Sequence, residues 1–81
     1  MSTEYTITET LDVTGVSCPM PIIKTKQAID DLATDSVLQV VATDAGSMSD
    51  IREWASATAG VELLEQEEDG DQYIHYVRKT A

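Results

Sequence analysis

Both prolines of the chain lie just after its one cysteine, in the run Ser17-Cys18-Pro19-Met20-Pro21, and this is where residue types and spacing converge on chemistry. Proline is tolerated in the first turn of a helix because the N–H it lacks would be unpaired there and its fixed φ already suits the helix. A residue before proline avoids the helical region, so Cys18 is expected in extended backbone at or just outside a helix start, with either Pro19 or Pro21 as the first helical residue. The amides of Met20, Ile22 and Ile23 then remain to face an anion at the sulfur. Such a helix end favours an anion by about 0.3 to 1 kcal/mol, which lowers a thiol by roughly 0.2 to 0.7 of a pKa unit from its usual value near ~8.5. The acidic balance of the chain works against this, and strong activation would need Lys24 or Lys26 to fold back toward the sulfur. A moderately nucleophilic thiol is therefore expected. It suits the carriage of terminal sulfur, because a persulfide is intrinsically more acidic than a thiol. The plain alternative is a small buried hydrophobe, the usual place of a free cysteine.

Other constellations are weaker. A redox dithiol would need a second sulfur where Pro21 stands. A Cys-His pair would have to use His75, the only imidazole, which falls in a β-prone run beside Tyr73, Tyr76 and Val77 and reads as a plain strand histidine. Asp44 and Asp50 bracket a loop and could bind a cation or orient a partner, although Asp50 is more simply a helix-start residue. Trp54 reads as core packing, and the acidic cluster near the C-terminus as a solvated loop. One cysteine and one histidine supply too few ligands for a structural metal, and no glycine-rich phosphate loop is present, so neither metal nor cofactor is expected.

Periodicity gives the scaffold around Cys18. Odd positions from Tyr5 to Val13 alternate with Thr6, Thr8, Thr10 and Asp12, which predicts a half-buried strand over about Tyr5 to Asp12. Ile22, Thr25, Ala28, Ile29 and Leu32 fall on one side of a helix, with Lys24, Gln27 and Asp31 opposite. Val37, Leu38, Val40, Val41 and Ala42 form a nearly continuous apolar strand, as at a sheet centre. Ser47 stands three residues before Asp50 in a capping-box-like start to a second helix, whose apolar face is Ile51, Trp54, Ala55 and Thr58 and which Gly60 ends. Val61 to Glu67 and Tyr73 to Lys79 form a hairpin around Glu68-Asp69-Gly70-Asp71. The order βαβαββ implies an α+β, two-layer α/β sandwich: a mixed four-stranded sheet with two helices on one face. An open sheet leaves an edge strand, which the acidic hairpin protects, so a monomer is expected.

With 81 residues the chain makes one domain, expected over residues 1–81, and 5 Lys plus Arg against 15 Asp plus Glu give a net charge of -10. Direct nucleic-acid binding and anionic membrane surfaces are disfavoured, because both rest on a basic face. No apolar run approaches the roughly 20 residues of a membrane span, and Met1-Ser2-Thr3-Glu4 lacks the regions of a secretion signal, so a cytoplasmic location is expected. The acidic excess also suits a salt-rich cytoplasm, where repulsion is screened within about 3 Å at roughly 1 M salt, and it motivates the hypothesis of a halophilic source.

The stretch Leu11-Asp12-Val13-Thr14-Gly15-Val16-Ser17-Cys18-Pro19-Met20-Pro21-Ile22-Ile23-Lys24-Thr25-Lys26 resembles the signature of the TusA/SirA-like sulfur-carrier family: Leu-Asp, a glycine, then C-P-x-P opening a helix. Asp44 and the pair Asp50-Ile51 match the family's later acidic loop more weakly. The resemblance implies the two-layer sandwich argued above, with Cys18 as persulfide carrier and Pro19, Pro21, Met20, Gly15 and Asp12 as its support. Lys24, Lys26, Asp44 and Asp50 are candidates for partner contact or orientation. It further implies a sulfur donor such as a cysteine desulfurase or rhodanese-like protein, and an acceptor protein in a pathway such as tRNA thiolation or molybdenum-cofactor biosynthesis. Many relatives carry a basic residue where Thr14 and Ser17 stand, whereas this chain has none until Lys24. Two other readings stand beside the carrier: a non-catalytic regulatory or interaction module with a structural Cys18, and a thiol redox protein that forms mixed disulfides.

Overall fold

The computed structural model describes residues 6–16 and 20–80, and for Pro21 the backbone alone. Its elements are β1 (Glu9–Val13), α1 (Met20–Asp30), β2 (Val37–Ala42), α2 (Ser47–Ala57), β3 (Val61–Asp69) and β4 (Gln72–Lys79). The strands form one mixed sheet in the order β1-β2-β4-β3. β1 and β2 are parallel, joined by α1 as a crossover helix, while β4 runs antiparallel to both β2 and β3. The βαβαββ sandwich expected from the periodicity is the fold observed. The nearly continuous apolar run of β2 lies, as expected, at the sheet centre. Its residues Leu38, Val40 and Ala42 meet Val13, Val77 and the helix residues Ile29 and Ile51 in a closed core.

Several boundaries differ from the sequence expectation, each for a local reason. β1 begins at Glu9, not near Tyr5, because its partner β2 begins at Val37; ahead of the paired run, Thr8 N–H still reaches the Val37 carbonyl at 2.8 Å. Tyr5 itself lies outside the described residues. α1 stops at Asp30, so Leu32 reaches the core from the following turn, in which its N–H donates to the Ile29 carbonyl at 3.1 Å. The hairpin strands extend to an Asp69–Gln72 pair, leaving Gly70-Asp71 as a two-residue turn with Gly70 at φ 62°. β3 carries a bulge between Leu63 and Glu65, which pair with Val77 and Tyr76 respectively. Gln66 thus lies opposite His75, while Glu65 and Glu67 take the other face of the sheet.

Candidate functional site

Because β1 and β2 are parallel, the loops that follow them open at the same end of the sheet. The first leads to Cys18. At its start Asp12 Oδ1 accepts two hydrogen bonds from Thr14, from the backbone N–H at 2.9 Å and from the hydroxyl at 2.7 Å. These bonds, the hydroxyl's first, hold the Asp12 carboxyl below its ordinary value of 3.8. Val16 N–H closes a turn onto the Val13 carbonyl at 3.2 Å, with Gly15 at φ 77°, where a side chain would be strained. Asp12 and Gly15, both expected to support the cysteine, are thus the anchor and the pivot of one turn. Ser17, Cys18 and Pro19 lie outside the described residues.

The chain re-enters regular structure at Met20, the first residue of α1, so Pro21 is its second. This start narrows the expected set of free amides. Pro21 has none and the helical ladder begins to claim N–H groups at Ile23, which leaves Met20 and Ile22 in the open first turn. Met20 and Ile23 stand out among the described residues as exposed large apolar side chains, at 42% and 41%. Lys26 does not fold back toward the helix start. It points down the helix to Asp30, 3.2 Å away, as an exposed pair one turn apart. Lys24 is half-buried on the same helix.

The second loop is fastened to the first. Gly15 N–H donates to Thr43 Oγ1 at 2.7 Å. Asp44 then organises the entry to α2: its Oδ1 accepts from Gly46 N–H at 3.0 Å and its carbonyl from Ser47 N–H at 2.9 Å. Asp44 and Asp50 converge on Gly46, where an added Cβ would stand 3.4 Å from Asp44 Oδ1 and 3.6 Å from Asp50 Oδ2. Among the described residues, no group of three metal-ligating side chains gathers here or elsewhere.

The expected capping role of Ser47 is corrected. Gly46 is the N-cap and so has no side chain to cap with, and Ser47 is the first helical residue, with a buried hydroxyl. That hydroxyl lies 3.1 Å from Nε2 of His75. The imidazole is fully buried, its other nitrogen Nδ1 is 3.1 Å from Gln66 Nε2, and the same Gln66 nitrogen donates to the Met48 carbonyl at 2.7 Å. An amide nitrogen only donates, so Nδ1 accepts and the ring proton sits on Nε2, donating to Ser47. Burial lowers this histidine from the usual 6.5 to about 4, so it is neutral at physiological pH. His75 is a strand histidine as expected, yet one that ties β4, β3 and the start of α2 together. Sequence reasoning missed Thr43, Ser47 and Gln66. The single clue was a polar residue on the inward phase of a strand at His75.

The chain is similar in sequence and in fold to known proteins. A candidate sulfur carrier protein of Halobacterium salinarum is 70% identical over 80 residues, covering 99% of each chain. The sulfur carrier protein TusA of Pseudomonas putida GB-1 is 37% identical over 79 residues, covering 98% of each. The crystal structure of a SirA-like protein from Desulfitobacterium hafniense superposes with a TM-score of 0.72 over 90% of this chain and 99% of that one, at 24% identity, and shows the same fold. A sequence model of the family described as Sulfurtransferase TusA matches residues 9–79, from the first residue of β1 to the last of β4, and the chain belongs to that family.

Proposed function

We propose that this protein is a sulfur carrier that relays sulfane sulfur as a persulfide on Cys18, as one domain over residues 1–81, acting as a monomer in the cytoplasm. The observation that carries the reading is the start of α1 at Met20, two residues after Cys18 in sequence, together with the Gly15 N–H held by Thr43 three residues before it. An anionic sulfur there would meet the open amides of the first turn. The family description and the names of the relatives support sulfur transfer as the chemistry. The Cys18 thiolate attacks the terminal sulfur of a donor persulfide, such as one formed on a cysteine desulfurase or rhodanese-like protein. A new S–S bond forms, the donor S–S bond breaks, and the donor leaves as thiolate. An acceptor thiolate repeats the exchange in reverse sense, with tRNA thiolation or molybdenum-cofactor biosynthesis as downstream uses. Atoms and electrons balance between the two thiols alone. Pro19 and Pro21 stiffen the setting, and Lys24, Asp44 and Asp50 orient the partner.

Intact-mass measurement after incubation with a desulfurase and cysteine tests the reading. The wild type should gain about 32 Da, one reductant-labile sulfur, and Cys18→Ser nothing. No adduct on the wild type would favour an interaction module, and a low-molecular-weight thiol adduct a redox protein.

A further inference from the structure

The Ser47–His75–Gln66 chain is a buried polar network whose members come from three elements, and its outer end reaches the candidate site. From His75 on β4 it passes through the Ser47 hydroxyl to the first residue of α2. The Asp44 carbonyl holds Ser47 N–H, so residues 44–47 form one closed turn. Thr43, next in the chain, holds Gly15 N–H at 2.7 Å, three residues before Cys18. Every link is a hydrogen bond or a peptide bond. The Gln66 amide nitrogen donates to both Met48 and His75, and so fixes the imidazole in the tautomer that donates to Ser47.

Stability alone does not explain this arrangement. His75 sits in the row Leu11–Val40–His75–Gln66 on the helix-covered face, where an apolar residue would fill the core without a polar group to satisfy. A fully satisfied buried network instead selects one arrangement among several of similar packing energy. Here the element it fixes is the start of α2, and with it the loop that grips Gly15. We infer that His75 and Ser47, with Gln66, are positioning residues for sulfur transfer, acting through Asp44, Thr43 and Gly15, the last of which stands three residues before Cys18 in the chain. The inference rests on the carrier reading above. It acts on rate and not on partner affinity, because none of these three residues is exposed.

Conservative variants separate the links. His75→Gln can still donate to Ser47 from the Nε2 position, whereas His75→Asn reaches only Gln66, and Ser47→Ala removes the acceptor. Single-turnover transfer from a persulfidated desulfurase should be about ten-fold slower in Ser47→Ala and His75→Asn, since misplacement near ~1 Å at a reacting centre costs up to about 100-fold. Half-saturation by the donor should be unchanged and His75→Gln should run near the wild-type rate. The Gly15 amide should exchange with solvent faster in the two slow variants. Thr43→Val should slow transfer likewise, and adding Ser47→Ala to it should cost nothing more, as expected for one shared route. Wild-type rates in folded Ser47→Ala and His75→Asn, an unchanged Gly15 exchange rate, or multiplicative losses in the double variant would each overturn the inference. If Ser47→Ala fails to fold, the contrast between His75→Gln and His75→Asn still decides. Gly15 exchange needs no sulfur, so a wild type that takes up none would sink the carrier reading while leaving the mechanical link measurable.

Discussion

The backbone N–H of Gly15 and the hydroxyl of Thr43, 28 residues apart in sequence, meet at 2.7 Å and fasten the two loops at the carboxyl ends of β1 and β2. Gly15 makes this contact at φ 77°, and among the described residues beyond its chain neighbours no atom lies within 4 Å of where a Cβ would stand. Gly15→Ala should therefore be strained and not clashing. A loss of about 1 kcal/mol, or roughly 4 to 8 °C in melting temperature for a domain of this size, is expected, together with slower sulfur transfer. Calorimetry on the folded variant checks it. A loss beyond about 3 kcal/mol would contradict the open space around this glycine.

His75 gives the acid limb of stability a defined sign. Its native value of about 4 lies below the usual 6.5, so the unfolded chain binds the extra proton first. Stability from this group is complete above pH 6.5 and is lost as pH falls toward 4, by about 3 kcal/mol in all. Urea unfolding at several pH values should show this slope in the wild type and a flatter one in His75→Gln. Equal slopes in the two proteins would contradict it.

Asp12 should act at lower pH. Its carboxyl is held below 3.8 by Thr14, so its contribution is present above that value and fades as pH drops through the native one. Asp12→Asn keeps an acceptor for both Thr14 bonds but loses the charge that strengthens them, so at pH 7 it should be less stable than the wild type and more stable than Asp12→Ala. Denaturant titrations that ranked the two variants alike at pH 7 would remove the turn-anchoring role.

Glu67 has the opposite sign. Burial, then the hydrogen bond and charge of Glu65 on the same sheet face, raise it above its usual 4.5. A raised carboxyl stabilises the fold only where it is protonated, and that help is lost as pH rises through its native value. Glu67→Gln should melt higher than the wild type at pH 7 and alike at pH 4. A lower melting temperature at pH 7 would show the carboxylate to be favourably held.

The elements are legible in the sequence because each carries its own period: the unbroken apolar run of β2, the Ile22, Thr25 and Ile29 stripe of α1, and the Asp-Gly signal at the hairpin. So is the placing of Cys18 before a helix start, which two prolines announce locally. The links between loops are not legible. Ser47 three residues before Asp50 satisfies a capping pattern, and nothing nearby reveals that its hydroxyl instead meets an imidazole 28 positions on. Likewise a threonine after a strand gives no local sign that it holds a glycine amide of another loop. Lys26 shows the converse, since its partner Asp30 stands one helical turn away and the spacing alone pairs them.

The bulge in β3 acts as a phase correction in the strand's two-letter code of inward and outward residues. Val61-Glu62-Leu63 and Glu65-Gln66-Glu67 each alternate properly, but the second triplet is displaced by one count, and Leu64 absorbs the difference. Strict alternation across the whole strand would send Glu65 and Glu67 under the helices and turn Gln66 away from His75. Deletions along this strand are therefore unequal. Losing Leu64 keeps both triplets in phase, while losing Gln66 takes away the side chain that holds the imidazole. The surplus leucine is thus the one residue between the two triplets that the central histidine can do without.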